Sequence, residues 1–95
     1  MECGWDDAKN RSNLSKHGIS FDTAVRVFLD PLHISRQDRF VDGEERWRTI
    51  GRVSDVLLVV VAYAVFDEGN EDVQIISARR VTRQERIEYE EASEL

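Results

Sequence analysis

The segment Val56–Phe66, which reads VLLVVVAYAVF, is the part of the chain that most constrains the fold. It is an uninterrupted apolar run and is too long for an edge strand. The run therefore predicts a central strand of a sheet that is covered on both faces over at least part of its length. It is also far shorter than the ~20 residues that a membrane span needs.

The residues on both sides of this run predict the rest of the sheet. Val73–Ala78 follows an acidic turn at Gly69–Asn70 and is typical of a second buried strand. Before the run, Asp42–Gly43 is a strong hairpin signal. His33–Gln37 predicts a weaker strand, and Glu2–Trp5 a short edge strand. The sheet is therefore expected to be a meander of antiparallel strands.

The strand predicted over Arg46–Arg52 has two chemically different faces. Alternation places Trp47, Thr49 and Gly51 on one face, and Arg46, Arg48, Ile50 and Arg52 on the other.

Three helices are predicted outside the sheet. Asp6 or Asp7 caps a first helix that runs to about Lys16, with Gly18 at its C-terminal cap. Ser20 caps a second helix, which ends at Asp30–Pro31. The apolar stripe of this second helix consists of Phe21, Ala24, Val25 and Phe28.

Thr82 and Glu85 form a capping box, Thr-x-x-Glu, that opens a final helix to about Ser93. The predicted order is a short strand, two helices, an antiparallel sheet and a closing helix. This order indicates a single α+β domain over residues 1–95 in which two helices pack on one face of the sheet.

Composition places the chain among ordinary globular proteins. It has 95 residues, of which 41% are hydrophobic and 34% charged. A single Cys excludes an internal disulfide and fits a reducing cytosol. The start at Met1 has neither a basic region nor an apolar core, so no signal peptide is expected. We therefore expect a cytoplasmic protein with no membrane association.

The charge of the chain is unevenly distributed. The net charge of −6 argues at face value against nucleic-acid binding. Nearly all the cations are arginines, however, with three of them in Arg46–Arg52 and four in Arg79–Arg86. The planar guanidinium fork suits phosphate, so a local basic surface is possible. The alternative, which charge alone favours, is that these arginines pair with neighbouring carboxylates on solvated faces.

Several kinds of site are excluded by the motifs. Cys3, His17 and His33 are isolated from one another, which is not metal-ligand spacing. No glycine-rich phosphate loop and no nucleophile elbow is present. The sequence therefore predicts neither a metal nor a cofactor.

The remaining side chains suffice for RNA cleavage, because RNA carries its own nucleophile, the 2′-OH. A His or a perturbed Glu can move protons, and Arg and Lys stabilise charge on the phosphate. An aromatic ring such as that of Trp47 can hold an unstacked base.

Each of these residues also has a purely structural interpretation. His17 is equally suited to a helix C-terminus, and Trp47 and Tyr89 to the core. The capping box explains Glu85, and His33 is expected to be a surface strand residue.

The pair Arg79–Arg80 is harder to explain by structure alone. Adjacent residues at a strand end point in opposite directions, so at most one of the two can share a pocket with Arg46, Arg48 or Arg52.

Four groups of residues, in this order over about residues 5 to 90, resemble the BrnT toxin family. The first two groups are Trp5-Asp6 with Lys9-Asn10, and Asn13-Leu14 with Lys16-His17-Gly18 and Ser20-Phe21. The third is Gly43-Glu44 with Arg46, followed by Ile50-Gly51-Arg52. The fourth is Ile75–Arg80 with Thr82, Glu85-Arg86 and Tyr89.

The resemblance implies a RelE-like α+β fold and an endoribonuclease that acts on RNA and inhibits growth. The side-chain types named above lead us to expect that the cleavage needs no metal. The resemblance also implies a BrnA-like antitoxin as partner, in a complex of two toxins and two antitoxins. That complex would repress its own promoter, so operator DNA is contacted only through the antitoxin. The alternative is a catalytically weak, toxin-like binding module that acts through its antitoxin.

The resemblance also implies which positions carry function. Those expected in catalysis are Lys16, His17, Glu45, Arg52 and Arg79. Those expected to bind RNA are Arg46, Arg80 and Arg83, to which the aromatic chemistry of its side chain adds Trp47. His17 or Glu45 is expected to handle protons, while Arg52 stabilises the phosphate together with Arg79 or Arg80.

Overall fold

The computed structural model describes residues 1–67, 69 and 72–93. The chain begins with strand β1 (Cys3–Gly4), helices α1 (Asp7–His17) and α2 (Phe21–Ala24), and a 3₁₀ helix (Val25–Leu29). It continues with strands β2 (Ile34–Val41), β3 (Glu44–Ser54), β4 (Leu57–Asp67) and β5 (Asp72–Arg80), and ends in helix α3 (Arg83–Ser93). The predicted acidic turn at Gly69–Asn70 falls partly on Asn70, which lies outside the described residues.

The five strands form one sheet in the order β1-β5-β4-β3-β2. The long apolar run supplies the central strand β4, as predicted, because its side chains are apolar on both faces. Strands β2 to β5 pair antiparallel with their neighbours. Strand β1 lies at the edge, as predicted, but it pairs parallel with β5. The expectation of a wholly antiparallel sheet is therefore wrong at this strand, because a helical connection and not a hairpin leads out of it.

The hairpin between β2 and β3 turns at Asp42–Gly43, as predicted. Both residues have positive φ, 51° and 78°. This is the geometry of a type I′ turn, which favours Asp-Gly. Strand β2 is longer than predicted and reaches Val41, with a bulge between Gln37 and Arg39.

The predicted helix caps are confirmed. Asp6 accepts hydrogen bonds from the backbone N–H groups of Ala8 and Lys9, and Gly18 ends α1 with a φ of 72°. The Ser20 side chain accepts from the N–H of Thr23. At the last helix, Thr82 and Glu85 exchange the two hydrogen bonds of a capping box, 2.8 and 3.1 Å long.

The second predicted helix is α-helical only to Ala24 and continues as the 3₁₀ helix to Leu29, just before the predicted stop. Val27 of this 3₁₀ segment lies directly on Gly51 of β3. A Cβ atom at position 51 would come within 2.8 Å of the Val27 Cβ. The missing side chain at Gly51 thus allows the helical segment to contact the strand backbone.

The sheet has a core on each face. On the helical face, which we define as the face covered by α1, α2 and the 3₁₀ helix, the largest fully buried residues include Phe21, Val27, Val59, Val61 and Ile75. On the opposite face Tyr89 of α3 packs with Ile50, Leu58 and Val60. Helix α3 therefore packs on the sheet face opposite to the one that the N-terminal helices cover. Within the described residues, no helix is long and apolar enough to cross a membrane.

Candidate functional site

Arginines are concentrated on the sheet face that α3 partly covers. The strand register puts Arg36 directly opposite Arg48, and Arg39 directly opposite Arg46. We call this surface the arginine face; it carries Arg36 and Arg39 of β2, Arg46, Arg48 and Arg52 of β3, and Arg79 of β5. Like charges directly opposite each other on neighbouring strands are destabilising, so this pattern is costly for the fold alone.

Glu85 of α3 is the principal counter-ion on this face. Its two carboxylate oxygens accept hydrogen bonds from Nη1 and Nη2 of Arg79, at 2.8 and 3.1 Å. Arg48 Nη1 lies 4.0 Å from the same carboxylate. The hydrogen bonds from Arg79 lower the pKa of Glu85 to about 2, with help from the Thr82 backbone N–H. Glu85 therefore holds Arg79 as a fully ionised pair and links it to Arg48.

Three further carboxylates give the remaining arginines partial compensation. The ion pairs are Arg48–Asp38 at 3.3 Å, and Arg36–Glu88 and Arg46–Glu44 at 3.6 Å. Among the described residues, the ion pairs of these six arginines involve four carboxylates, and the Asp30 carboxylate adjoins Arg52, so the face keeps a small excess of positive charge in a chain of net charge −6. Side chains of this set, including Arg36, Arg48, Glu85 and Glu88, line a cleft of about 250 Å³ between α3 and strands β2 and β3.

Arg52 is held at one end of the arginine face by Asp30 and Tyr89. Its backbone N–H donates to Asp30 Oδ2 at 2.8 Å, and its guanidinium lies 5.8 Å from the centroid of the Tyr89 ring. Burial raises the pKa of Asp30, but hydrogen bonds from Tyr89, Arg52 and Leu32 outweigh it and leave the pKa lowered. Asp30 is thus a buried anion that fixes Arg52 relative to α3.

A second cavity, of about 330 Å³, opens on the helical face. Its lining includes Phe28, His33, Ser35, Glu45, Trp47 and Tyr63. Trp47 Nε1 donates to Glu45 Oε1 at 2.9 Å, which orients the carboxylate. His33 Nδ1 lies 2.6 Å from the carbonyl oxygen of Asp30. This cavity therefore combines aromatic rings with an oriented carboxylate and an imidazole.

The structure places the sequence-predicted residues on several separate elements. Arg46, Arg52 and Arg79 lie on the arginine face, and Glu45 and Trp47 line the cavity on the opposite face. Lys16 and His17 end α1, Arg80 ends β5, and Arg83 begins α3.

As expected from strand alternation, Arg79 and Arg80 point to opposite faces, because they pair with the consecutive residues Val60 and Val59. Among the described residues His17 makes no hydrogen bond or ion pair with any arginine. The predicted residues therefore do not converge on one cleft.

Sequence reasoning missed several residues of these two surfaces. Arg39 was missed because the predicted strand ended at Gln37, short of the observed end of β2. Arg36 lay within that predicted strand, but only the pairing with Arg48 shows which face it occupies. Nothing local to His33 or Glu88 indicates a site, because the cavity residues beside His33 and the Arg36 partner of Glu88 come from distant parts of the chain. Glu85, assigned only to the capping box, also binds Arg79.

The described part of the chain, residues 1–67, 69 and 72–93, contains no group of three or more His, Cys, Asp or Glu side chains placed to hold a metal ion.

Comparisons with known proteins identify relatives of the chain. The family model described as the ribonuclease toxin BrnT of type II toxin–antitoxin systems matches residues 5–85. The crystal structure of the Brucella abortus ribonuclease toxin BrnT is similar to this structure with a TM-score of 0.64 and 23% sequence identity. That match covers 87% of this chain and 99% of the Brucella chain, and it shows a shared fold. No curated protein matches the chain.

Proposed function

The chain belongs to the BrnT family of ribonuclease toxins of type II toxin–antitoxin systems, and we propose that it binds and cleaves RNA on the arginine face without a metal ion. Membership of a type II family also means that an antitoxin is its partner. The arginine face is the part of the molecule whose chemistry matches a polyanion.

The observation that carries this proposal is the opposition of Arg36 to Arg48 and of Arg39 to Arg46 across neighbouring strands. Such pairs repel each other, and a bound phosphate backbone relieves the repulsion. The negative net charge does not prevent binding, because surface charges separated by more than ~10 Å are largely screened at physiological salt. Arg36 and Arg48 have side chains that are 66% and 48% exposed, so both are accessible to RNA.

Arg48 and Arg79 are the proposed electrostatic catalysts. Attack of the 2′-oxygen on phosphorus places extra negative charge on the phosphoryl oxygens, and fixed guanidinium groups stabilise it. Glu85 holds Arg79 in a bidentate pair and lies 4.0 Å from Arg48, so both cations are oriented before RNA binds. With a pKa of about 2, Glu85 is too weak a base to accept a proton at neutral pH.

Glu88 is the proposed general base. Its side chain lines the cleft, is 29% exposed and lies 3.6 Å from Arg36. In the proposed step the 2′-OH proton passes to Glu88, the 2′-oxygen bonds to phosphorus, and the bond from phosphorus to the 5′-oxygen breaks. The leaving oxygen takes a proton from water. The products are a 2′,3′-cyclic phosphate and a 5′-OH end.

Incubation of the purified protein with end-labelled single-stranded RNA in EDTA tests this proposal. We expect cleavage products that end in a 2′,3′-cyclic phosphate. Arg48→Ala and Arg79→Ala should each slow cleavage by about 100-fold or more, as loss of one fixed charge-stabilising group does elsewhere. Glu88→Gln should slow it by a similar factor, because the amide cannot accept the 2′-OH proton. The matched control is Arg11→Ala, at an exposed arginine on α1.

Intact RNA in the presence of folded protein, or equal rates for Arg79→Ala and Arg11→Ala, contradicts the proposal. A folded protein that binds its antitoxin and leaves RNA intact supports the alternative function, a binding module that acts through the antitoxin.

The proposal also includes RNA contacts outside the arginine face. We propose that Arg80 and Arg83, which follow Arg79 in the chain and have no ion pair within the described residues, contact RNA outside the cleaved bond. Lys16 and His17 at the end of α1 are proposed to extend this contact.

The antitoxin is proposed to be BrnA-like and to form a complex of two toxins and two antitoxins that represses its own promoter. The mixed sheet with helices on both faces is proposed to be a variant of the RelE-like fold.

A further inference from the structure

A second surface, whose charge is opposite to that of the arginine face, runs from the helical face to the β2–β3 hairpin. The cavity around Glu45 and Trp47 adjoins a shallower depression at the β2–β3 hairpin, and the two share Glu45 and Val65. We call the combined surface the acidic groove; its outer part is lined by Phe40, Asp42, Glu44 and Phe66. Among the described residues, no Lys or Arg lines either part.

Two large aromatic side chains are left exposed at the outer part of this groove. Phe40 and Phe66 are 63% and 62% exposed. Phe40 pairs with Glu45 across β2 and β3, and Val65, which lines both parts of the groove, precedes Phe66 in β4. Exposed aromatic residues next to an apolar pocket are typical of protein-binding surfaces, where a few such residues carry most of the affinity.

Glu45 has a carboxylate oxygen available to pair with a cation. It is half-buried, and Trp47 holds its Oε1 at 2.9 Å, whereas Oε2 accepts no hydrogen bond within the described residues. The nearby Asp42 adds negative charge, whereas the Glu44 carboxylate is paired with Arg46 at 3.6 Å. Such a surface repels a phosphate backbone and attracts a lysine or arginine side chain.

We propose that the acidic groove is the docking site of the antitoxin, which places there a segment with a large apolar side chain next to a Lys or Arg. The apolar side chain fills the inner cavity of about 330 Å³, and the cation pairs with Glu45. The inference rests on the proposed function only for the existence of that partner. Because β2 is the sheet edge, a segment docked in the groove can continue across β2 to the arginine face.

The test measures binding of the purified protein encoded by the adjacent reading frame to the wild-type chain and to variants. Glu45→Lys and Phe40→Ser should each weaken binding at least tenfold. Two matched controls at exposed positions outside the groove, Glu91→Lys on α3 and Val56→Ser in the β3–β4 turn, should change binding less than twofold. If Glu45→Lys fails to fold, Glu45→Gln with Phe66→Ser makes the same comparison.

RNA cleavage by Phe40→Ser is measured in parallel and should equal that of the wild type. Unchanged affinity in both groove variants, or no binding of the adjacent protein to the wild-type chain, overturns the docking site. Loss of cleavage in Phe40→Ser with full antitoxin affinity also overturns it and assigns the groove to RNA. If the groove variants lose antitoxin affinity but the wild-type chain leaves RNA intact, only the nuclease proposal is refuted.

Discussion

The hydroxyl of Tyr89 donates a hydrogen bond of 2.7 Å to Oδ2 of Asp30, a residue 59 positions earlier in the chain. This contact joins α3 to the end of the 3₁₀ helix. The same carboxylate oxygen accepts from the backbone N–H of Arg52 at 2.8 Å. A single buried anion therefore connects the helical face, strand β3 and the helix that covers the arginine face.

Tyr89→Phe should lower the free energy of unfolding by about 1.5–3 kcal/mol, because a buried carboxylate loses a donor that nothing replaces. Urea unfolding of the wild type and the variant measures the difference. The double variant Asp30→Asn/Tyr89→Phe should cost less than the sum of its single variants, since both remove the same bond. Strict additivity, or a loss below about 0.5 kcal/mol, would show that this bond does not anchor α3.

Stability should fall in acid partly through Glu85. Its pKa is lowered from 4.5 to about 2 by Arg79, so the pair stabilises the fold fully above pH ~4.5. That contribution is lost as the pH falls from 4.5 towards 2. In Glu85→Gln, where no charge can be lost at this position, the urea midpoint should decline less between pH 6 and pH 3. A midpoint that declines equally in both proteins would contradict an ion pair at Glu85.

Gly51→Ala should destabilise the protein more than the same substitution does at a turn glycine with positive φ. The added Cβ would lie 2.8 Å from both Cβ and the carbonyl oxygen of Val27, so the 3₁₀ helix must shift. We expect a loss of about 1–3 kcal/mol, typical of overpacking. Gly43→Ala is the comparison, because its site has open space and its cost comes from the φ of 78°. A smaller thermal shift in Gly51→Ala than in Gly43→Ala would refute close packing at this point.

RNA binding should depend on salt through the exposed arginines of the arginine face. For single-stranded RNA, each phosphate contact contributes about 0.7 to the slope of log K against log salt concentration. Arg36→Ala, which removes a side chain that is 66% exposed, should reduce that slope by about 0.7. Arg11→Ala on α1 should leave it unchanged. Fluorescence anisotropy over a salt series measures both, and equal slopes for wild type and Arg36→Ala would exclude Arg36 from the RNA contact.

Much of the fold could be predicted from local patterns. The Asp6, Ser20 and Thr82 caps, the Asp42–Gly43 turn and the central position of β4 all depend on residues within a few positions of each other. The parallel pairing of β1 could not be predicted, because it joins Cys3 to Val73 across most of the chain. The 3₁₀ geometry after Ala24 likewise depends on a distant partner, Gly51, and not on the helical pattern of its own residues.

Sequence information alone identified the family motifs, the helix limits and the alternation that puts arginines on one side of β3. These features are encoded locally, in side-chain periodicity and backbone preference. The tertiary structure determined which charged side chains contact each other. It placed Arg36 against Arg48, bound Arg79 to Glu85, and separated Glu45 and Trp47 from the arginines by the thickness of the sheet. Strand register and helix docking produce these contacts, and both depend on packing between residues far apart in the chain.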